Sequence, residues 1–111
     1  MNNSDITVSI VTVNWKTPQL LSQCLDSISE LDENHQFFEY LIVDNNSADG
    51  SVEMLKERYP YVKVLANDKN LGFSKACNQV IPDAKGKYVL LLNPDTVITR
   101  NAISNLVTFM E

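Results

Sequence analysis

Glycine is scarce in this sequence: Gly50, Gly72 and Gly86 are the only three in 111 residues. They are too scattered to form the close-set glycines of a dinucleotide fingerprint or a P-loop, so a glycine-rich phosphate cradle is excluded. The single histidine, His35, sits in the polar run Glu33-Asn34-His35-Gln36 and reads as a solvated loop residue. Only two cysteines occur, Cys24 and Cys77, far apart and within stretches of helical periodicity. No metal-ligand spacing joins them, and they read as small buried thiols of a reduced, cytosolic chain. The longest unbroken apolar run is five residues, Tyr88 to Leu92, against the ~20 needed to span a bilayer. The polar start, Met1 to Asp5, has no basic n-region or apolar stretch of a signal peptide. Basic residues are in the minority, nine against fourteen acids for a net charge of -5. This argues against nucleic acid as a partner, because phosphate-backbone binding needs a basic surface.

What is present is ordinary globular composition, 44% hydrophobic and 21% charged, in a length that suits one domain with one modest core. The pattern alternates. Thr7 to Val13 is β-branched and reads as a strand. Thr17-Pro18 signals a helix start, with Thr17 as N-cap and Pro18 at the first helical position. Leu20, Leu21, Cys24, Leu25, Ile28 and Leu31 follow at helical spacing. Phe38 to Val43 reads as a second strand. Asp49-Gly50-Ser51 opens a second helix carrying Val52, Leu55 and Tyr59, which Pro60 stops. Val62 to Ala66 is a short third strand, and Leu71 to Val80 a third helix ended by Pro82. Tyr88 to Leu92, apolar throughout, reads as a strand buried on both faces. A last helix carries Ile103, Leu106, Val107 and Met110. About four strands alternating with four helices predict an α/β fold, a mostly parallel sheet with helices on both faces.

Open sheets of this kind bind ligands at the C-terminal ends of their strands. After the four strands come Asn14-Trp15, Asp44-Asn45-Asn46-Ser47, Asn67-Asp68 and Asn93-Pro94-Asp95. Each group alone is common turn chemistry. Together, at one edge of a parallel sheet, they make a polar, carboxylate-bearing crevice. Carboxylates without a basic phosphate cradle suit a divalent cation, Mg2+ or Mn2+, that bridges to substrate phosphates. Asp44, ending an apolar strand, is placed to accept a hydrogen bond from a base N–H.

The residues also carry a family resemblance. VSIVTVNWKTPQLLSQCLDSI, LIVDNNSADGS, NLGFSKACNQVI and KYVLLLNPDTVI, spanning Val8 to Ile98, resemble in order and spacing the four blocks of family 2 glycosyltransferases with the GT-A fold. The Val-Asn-Trp and Asn-Pro-Asp motifs are similar to its rhamnosyltransferase-like subgroup. The resemblance implies that residues 1–111 are the Rossmann-like, nucleotide-sugar-binding N-terminal half of a GT-A domain, without the acceptor half. Asn14, or the backbone at Thr12 and Val13, would line the nucleotide pocket. Asp44 would take the ring N–H of uracil, thymine or guanine, with Asn46 beside it. Asn70, Gly72, Phe73 and Asn78 would approach the ribose and diphosphate. Asp95 matches the second acid of the Asp-X-Asp motif and would hold the metal. Asn93 replaces the first acid and, being neutral, is assigned to the nucleotide alone.

The implied activity is inverting transfer of a sugar from a UDP, dTDP or GDP carrier to a glycan or lipid-linked hydroxyl acceptor in surface polysaccharide synthesis. It would take place in the cytoplasm or at the inner face of the membrane. The general base is expected in the C-terminal half, so no residue here is assigned to it. Without that half the isolated chain is expected to be inactive and to self-associate through its open sheet edge. A non-catalytic module binding nucleotide or a partner protein is the alternative. Trp15 could stack on a ring or pack on the first helix. Lys69, Lys75 and Arg100 read as solvated.

Overall fold

The computed structural model describes residues 6–30, 37–97 and 101–111. His35, Leu31, Ile98, Arg100 and the start Met1 to Asp5 lie outside the described residues, as does the side chain of Leu106. Strands β1 (Val8–Asn14), β2 (Phe38–Asp44), β3 (Lys63–Ala66) and β4 (Tyr88–Leu91) alternate with helices α1 (Pro18–Ser29), α2 (Ser51–Arg58), α3 (Phe73–Val80) and α4 (Ala102–Met110). The strands are parallel throughout, in the order β3-β2-β1-β4. No described helix is long and apolar enough to cross a membrane.

Strand alternation divides the core in two. Val8 is level with Phe38 on one side and Tyr88 on the other, so even-numbered residues of all three strands share a face. There Val8, Ile10, Tyr40 and Ile42 pack with Leu21, Cys24, Leu25 and Ile28 of α1, Leu55 of α2 and Ile103 of α4. On the other face Val11 and Leu41 pack with Cys77 of α3, flanked by Val13, Val80 and Ile81. The expected two-faced cover is present but unequal, with three helices on one side and α3 on the other.

That inequality corrects the reading of the last strand. Tyr88 to Leu92 is not buried on both faces: Val89 is 44% and Leu91 46% exposed. Within the described residues β4 is an edge strand, and α3 lies over β1 and β2 without covering it. Several local expectations also shift. Thr17 occupies the N-cap position of α1 but makes no side-chain cap; its hydroxyl donates to Asn14 Oδ1 at 2.7 Å instead. Leu20 falls off the apolar stripe and is exposed. α3 starts at Phe73, not Leu71, but ends at Val80 as expected, and Pro82 sits just beyond it in a 3₁₀ turn, Ile81–Asp83, where a missing N–H costs little. At the start of α2, Gly50 has φ +90°, and Asp49 Oδ1 accepts from Ser51 N and Oγ at 3.0 and 2.6 Å.

The N-terminal end of the sheet is tied by a buried carboxylate. Glu39 Oε2 accepts from Ser9 Oγ at 2.6 Å and from Lys85 N at 2.8 Å, and Oε1 accepts from Lys63 Nζ at 2.8 Å. Ser9 Oγ in turn accepts from Gly86 N at 2.8 Å. Burial alone would raise the Glu39 carboxyl, but the Lys63 ammonium, the Lys85 N–H and the Ser9 hydroxyl outweigh it and hold the group below its ordinary value.

Candidate functional site at the carboxyl ends of the strands

The chain runs from β1 through β2 to β3 on one side of the sheet, then crosses the opposite face through α3 and places β4 on the far side of β1. The direction of travel reverses between β1 and β4. The strand order thus has its switch point beside β1, and open α/β sheets bind ligands outside the carboxyl ends of the strands at such a point. The β1–β4 ladder ends where Leu92 N donates to Val11 O at 2.9 Å. By strand alternation the Val13 peptide groups point the same way as those of Val11, past that last rung. The Thr12 and Asn14 peptides point to β2, where Asn45 N donates to Asn14 O at 2.9 Å.

At the end of β2, Asp44 is 2% exposed and heavily bonded. Its Oδ1 accepts from Asn14 Nδ2 at 2.8 Å and Ser47 Oγ at 2.7 Å, and its Oδ2 accepts from Ser47 N at 3.0 Å. A carboxylate has about four lone-pair sites, so Oδ2 keeps one acceptor direction beyond these three bonds. Asn14 is fully buried behind Asp44. It also donates to Ser47 Oγ at 3.3 Å and accepts from Thr17, so its side chain holds Asp44 and does not itself face the crevice. Ser47 Oγ accepts from Lys16 N at 2.8 Å, joining the loops after β1 and β2. Lys16, Asn46 and Ala48 in these same loops have φ of 57°, 61° and 52°. Left-handed backbone at non-glycine residues costs energy and clusters at functional sites.

Asp44 and Asn46 line a polar cleft of about 440 Å³ with Asp49, Gly50, Ser51 and Asn67, within the size range of small-molecule sites. Asn70, Gly72 and Phe73 do not line it but belong to the exposed loop and helix start beyond Asn67. Gly72 has φ +81°, and its N–H donates to Asn70 Oδ1 at 2.8 Å. Asn78 is exposed on α3, and Thr12 is buried within the sheet. Trp15 is half-exposed, with Lys16 Nζ 5.0 Å from its ring centroid. Lys69 and Lys75 are exposed. Asn45, overlooked as a turn residue, proves to be buried and bonded to the loop before α3.

Asn93 and Asp95 stand across β1 from that cleft, both exposed, in a turn closed by Thr96 N donating to Asn93 O at 3.1 Å. Burial first, and the Asp95 charge second, push the Cys24 thiol up to about 11. Among the described residues no three His, Cys, Asp or Glu side chains gather to cage an ion. A single exposed carboxylate such as Asp95 fits Mg2+ or Mn2+ only where water and substrate phosphate supply the remaining oxygen ligands.

The parallel sheet with helices on both faces matches solved structures of the GT-A class. The structure of S. aureus TarS 1-349 in complex with UDP matches it with a TM-score of 0.84, over 95% of this chain and 32% of that one, at 21% identity. The mannosyltransferase PcManGT from Pyrobaculum calidifontis, in complex with GDP-Man and Mn2+, matches with a TM-score of 0.80 over 93% of this chain and 32% of that one, at 24% identity. The chain belongs to glycosyl transferase family 2, whose family model matches residues 7–111. A poly(ribitol-phosphate) beta-glucosyltransferase of Bacillus spizizenii is 32% identical over 108 residues, 94% of this chain and 17% of that protein. The chain thus spans a sixth of this relative and about a third of each solved neighbour.

Proposed function

We propose that this chain is the donor-binding part of an inverting glycosyltransferase. It would hold a sugar nucleotide along the carboxyl ends of the strands for transfer to a glycan or lipid-linked hydroxyl acceptor in surface polysaccharide synthesis. The observation that carries the reading is Asp44, a buried carboxylate pinned by Asn14 and Ser47 with one acceptor direction left, on a polar cleft at the carboxyl end of the sheet. That acceptor suits the ring N–H of uracil, thymine or guanine. The relatives point the same way: one is named a poly(ribitol-phosphate) beta-glucosyltransferase, and two solved neighbours hold UDP and GDP-Man.

In this reading the Val13 backbone and Asn93 border the nucleotide from the β1–β4 side. Asn46 borders it from the β2 side, and the loop through Asn70, Gly72 and Phe73 faces ribose and diphosphate. Asp95 would hold Mg2+ or Mn2+, whose charge stabilises the departing diphosphate. The acceptor proton needs a base, and none of these residues is assigned to it. The dTDP donors stay beside UDP and GDP because the Val-Asn-Trp and Asn-Pro-Asp blocks resemble the rhamnosyltransferase-like subgroup.

Thermal unfolding with UDP, dTDP and GDP, each with and without Mn2+ or Mg2+, tests the reading. A ligand at 100 times its Kd adds about 2.7 kcal/mol, a rise on the order of ten degrees for this size. The expected result is a metal-dependent rise with one nucleotide, absent in Asp44→Ala and Asp95→Ala when each is compared with its own ligand-free melt. No rise with any nucleotide would count against it.

A further inference from the structure

We propose that Asn45 is a positioning residue: it fixes the loop from Asn67 to Gly72 and the start of α3, and through them the wall that faces the diphosphate. The inference rests on the donor-site reading above. Asn45 follows the last residue of β2, and its own N–H continues the central ladder by donating to Asn14 O at 2.9 Å. Its side chain therefore leaves from the end of the β1–β2 ladder, and it is 2% exposed. Oδ1 accepts from Asn67 Nδ2 at 3.1 Å and from Leu71 N at 3.3 Å, while Nδ2 donates to Gly72 O at 3.0 Å.

The loop has little else to hold it. Asn67 N donates to Asp44 O at 2.8 Å, and Asn67 pairs with Gln79 of α3 through two 2.9 Å amide bonds. Beyond Asn67 the residues up to Gly72 are exposed except Leu71, which is half-buried. The contact between Asn70 and Gly72 is internal to the loop. No side chain caps α3, so its first peptide N–H groups depend on where the loop delivers them. Two donors and one acceptor of the loop converge on one side chain, and only an amide carries both matching functions. An aspartate keeps the two acceptor bonds and loses the donor to Gly72.

The test uses the 111-residue chain with Asn45→Ala and Asn45→Asp, read by amide hydrogen exchange and by calorimetric binding of UDP with Mn2+ and of uridine. In Asn45→Ala, exchange at Leu71 is expected to rise about tenfold while the amides of β1 and β2 keep their protection. In Asn45→Asp, Leu71 stays protected. The Kd for UDP is expected to rise about tenfold in Asn45→Ala, with that for uridine unchanged. A merely structural role would weaken both ligands together. Unchanged Leu71 exchange in Asn45→Ala, or an unchanged ratio of UDP to uridine affinity, overturns the inference. If the native chain binds neither probe, the donor-site reading fails, and the diphosphate role of Asn45 fails with it whatever the exchange shows.

Discussion

Replacing Gly86 by alanine measures how tightly β4 is drawn against β1. A Cβ at this position would stand 2.5 Å from Ser9 N, 2.8 Å from Ser9 Oγ and 2.8 Å from Val8 C. Two of those atoms are backbone of a central strand and cannot rotate away. The chain entering β4 must move outward, which breaks the 2.8 Å bond from Gly86 N to Ser9 Oγ and loosens that from Tyr88 N to Thr7 O at 2.9 Å. Overpacking costs about 1–3 kcal/mol and one lost hydrogen bond about 1 kcal/mol, so the sum is about 2–4 kcal/mol. At roughly 4 °C per kcal/mol for this length, the Tm should fall by roughly 8–16 °C. Gly50→Ala is the contrast: a Cβ there meets nothing within 4 Å, but φ is +90°, so its cost is conformational, about 1–2 kcal/mol. Calorimetric melts of the three proteins side by side are the assay. A Gly86→Ala melt within about 2 °C of the parent, well under the expected drop, would refute the close approach.

Glu39 and Cys24 give two further tests. The Glu39 carboxyl is held below its ordinary value of 4.5, so its ionised form favours the folded state. Its contribution is complete above that value and is lost as pH falls through it toward the lower folded value. Urea melts at pH 7 and pH 4 should show a larger loss for the parent than for Glu39→Gln, and equal losses would exclude the network as an acid-sensitive tie. The Cys24 thiol, pushed up to about 11 by burial and then by the Asp95 charge, is almost wholly protonated at pH 8. In a Cys77→Ala background it should react with an aromatic disulfide only as the chain unfolds. Reaction of the folded protein at the rate of the urea-unfolded one would contradict the burial.

Strand and helix positions were legible because the apolar runs are short, β-branched and separated by Pro, Gly, Asn and Asp, the residues that end such elements. The polar strand ends were legible for the same reason. What the sequence could not settle depends on contacts distant along the chain. Glu39 interrupts an otherwise apolar strand and looks solvent-facing; it is buried because Ser9 stands level with it in the register and the Lys63 ammonium of β3 and the Lys85 N–H arrive from later in the chain. A polar residue at matching places in two paired strands was the available signal. Thr17 looks like a cap, but the amide oxygen of Asn14 is nearer to hand. Within Asp44-Asn45-Asn46-Ser47 composition cannot tell which residue turns inward, and the twist of the loop buries Asn45 while leaving Asn46 exposed. Val89 and Leu91 looked like interior residues because an apolar run does not reveal whether a helix covers its second face.

The parallel order has a consequence for how the chain is made. Val8 pairs with Phe38 on one side and with Tyr88 on the other, so the second partner is synthesised 50 residues after the first (88 minus 38). At about 5–20 residues per second that interval is roughly 3–10 s. Throughout it β1 has one bonded edge and one bare edge, and a bare edge templates whatever strand it meets. The vulnerable strand during biosynthesis is therefore the one that ends up in the middle of the sheet. Slow decoding between residues 45 and 88 lengthens the exposure of β1, without changing any contact in the finished fold.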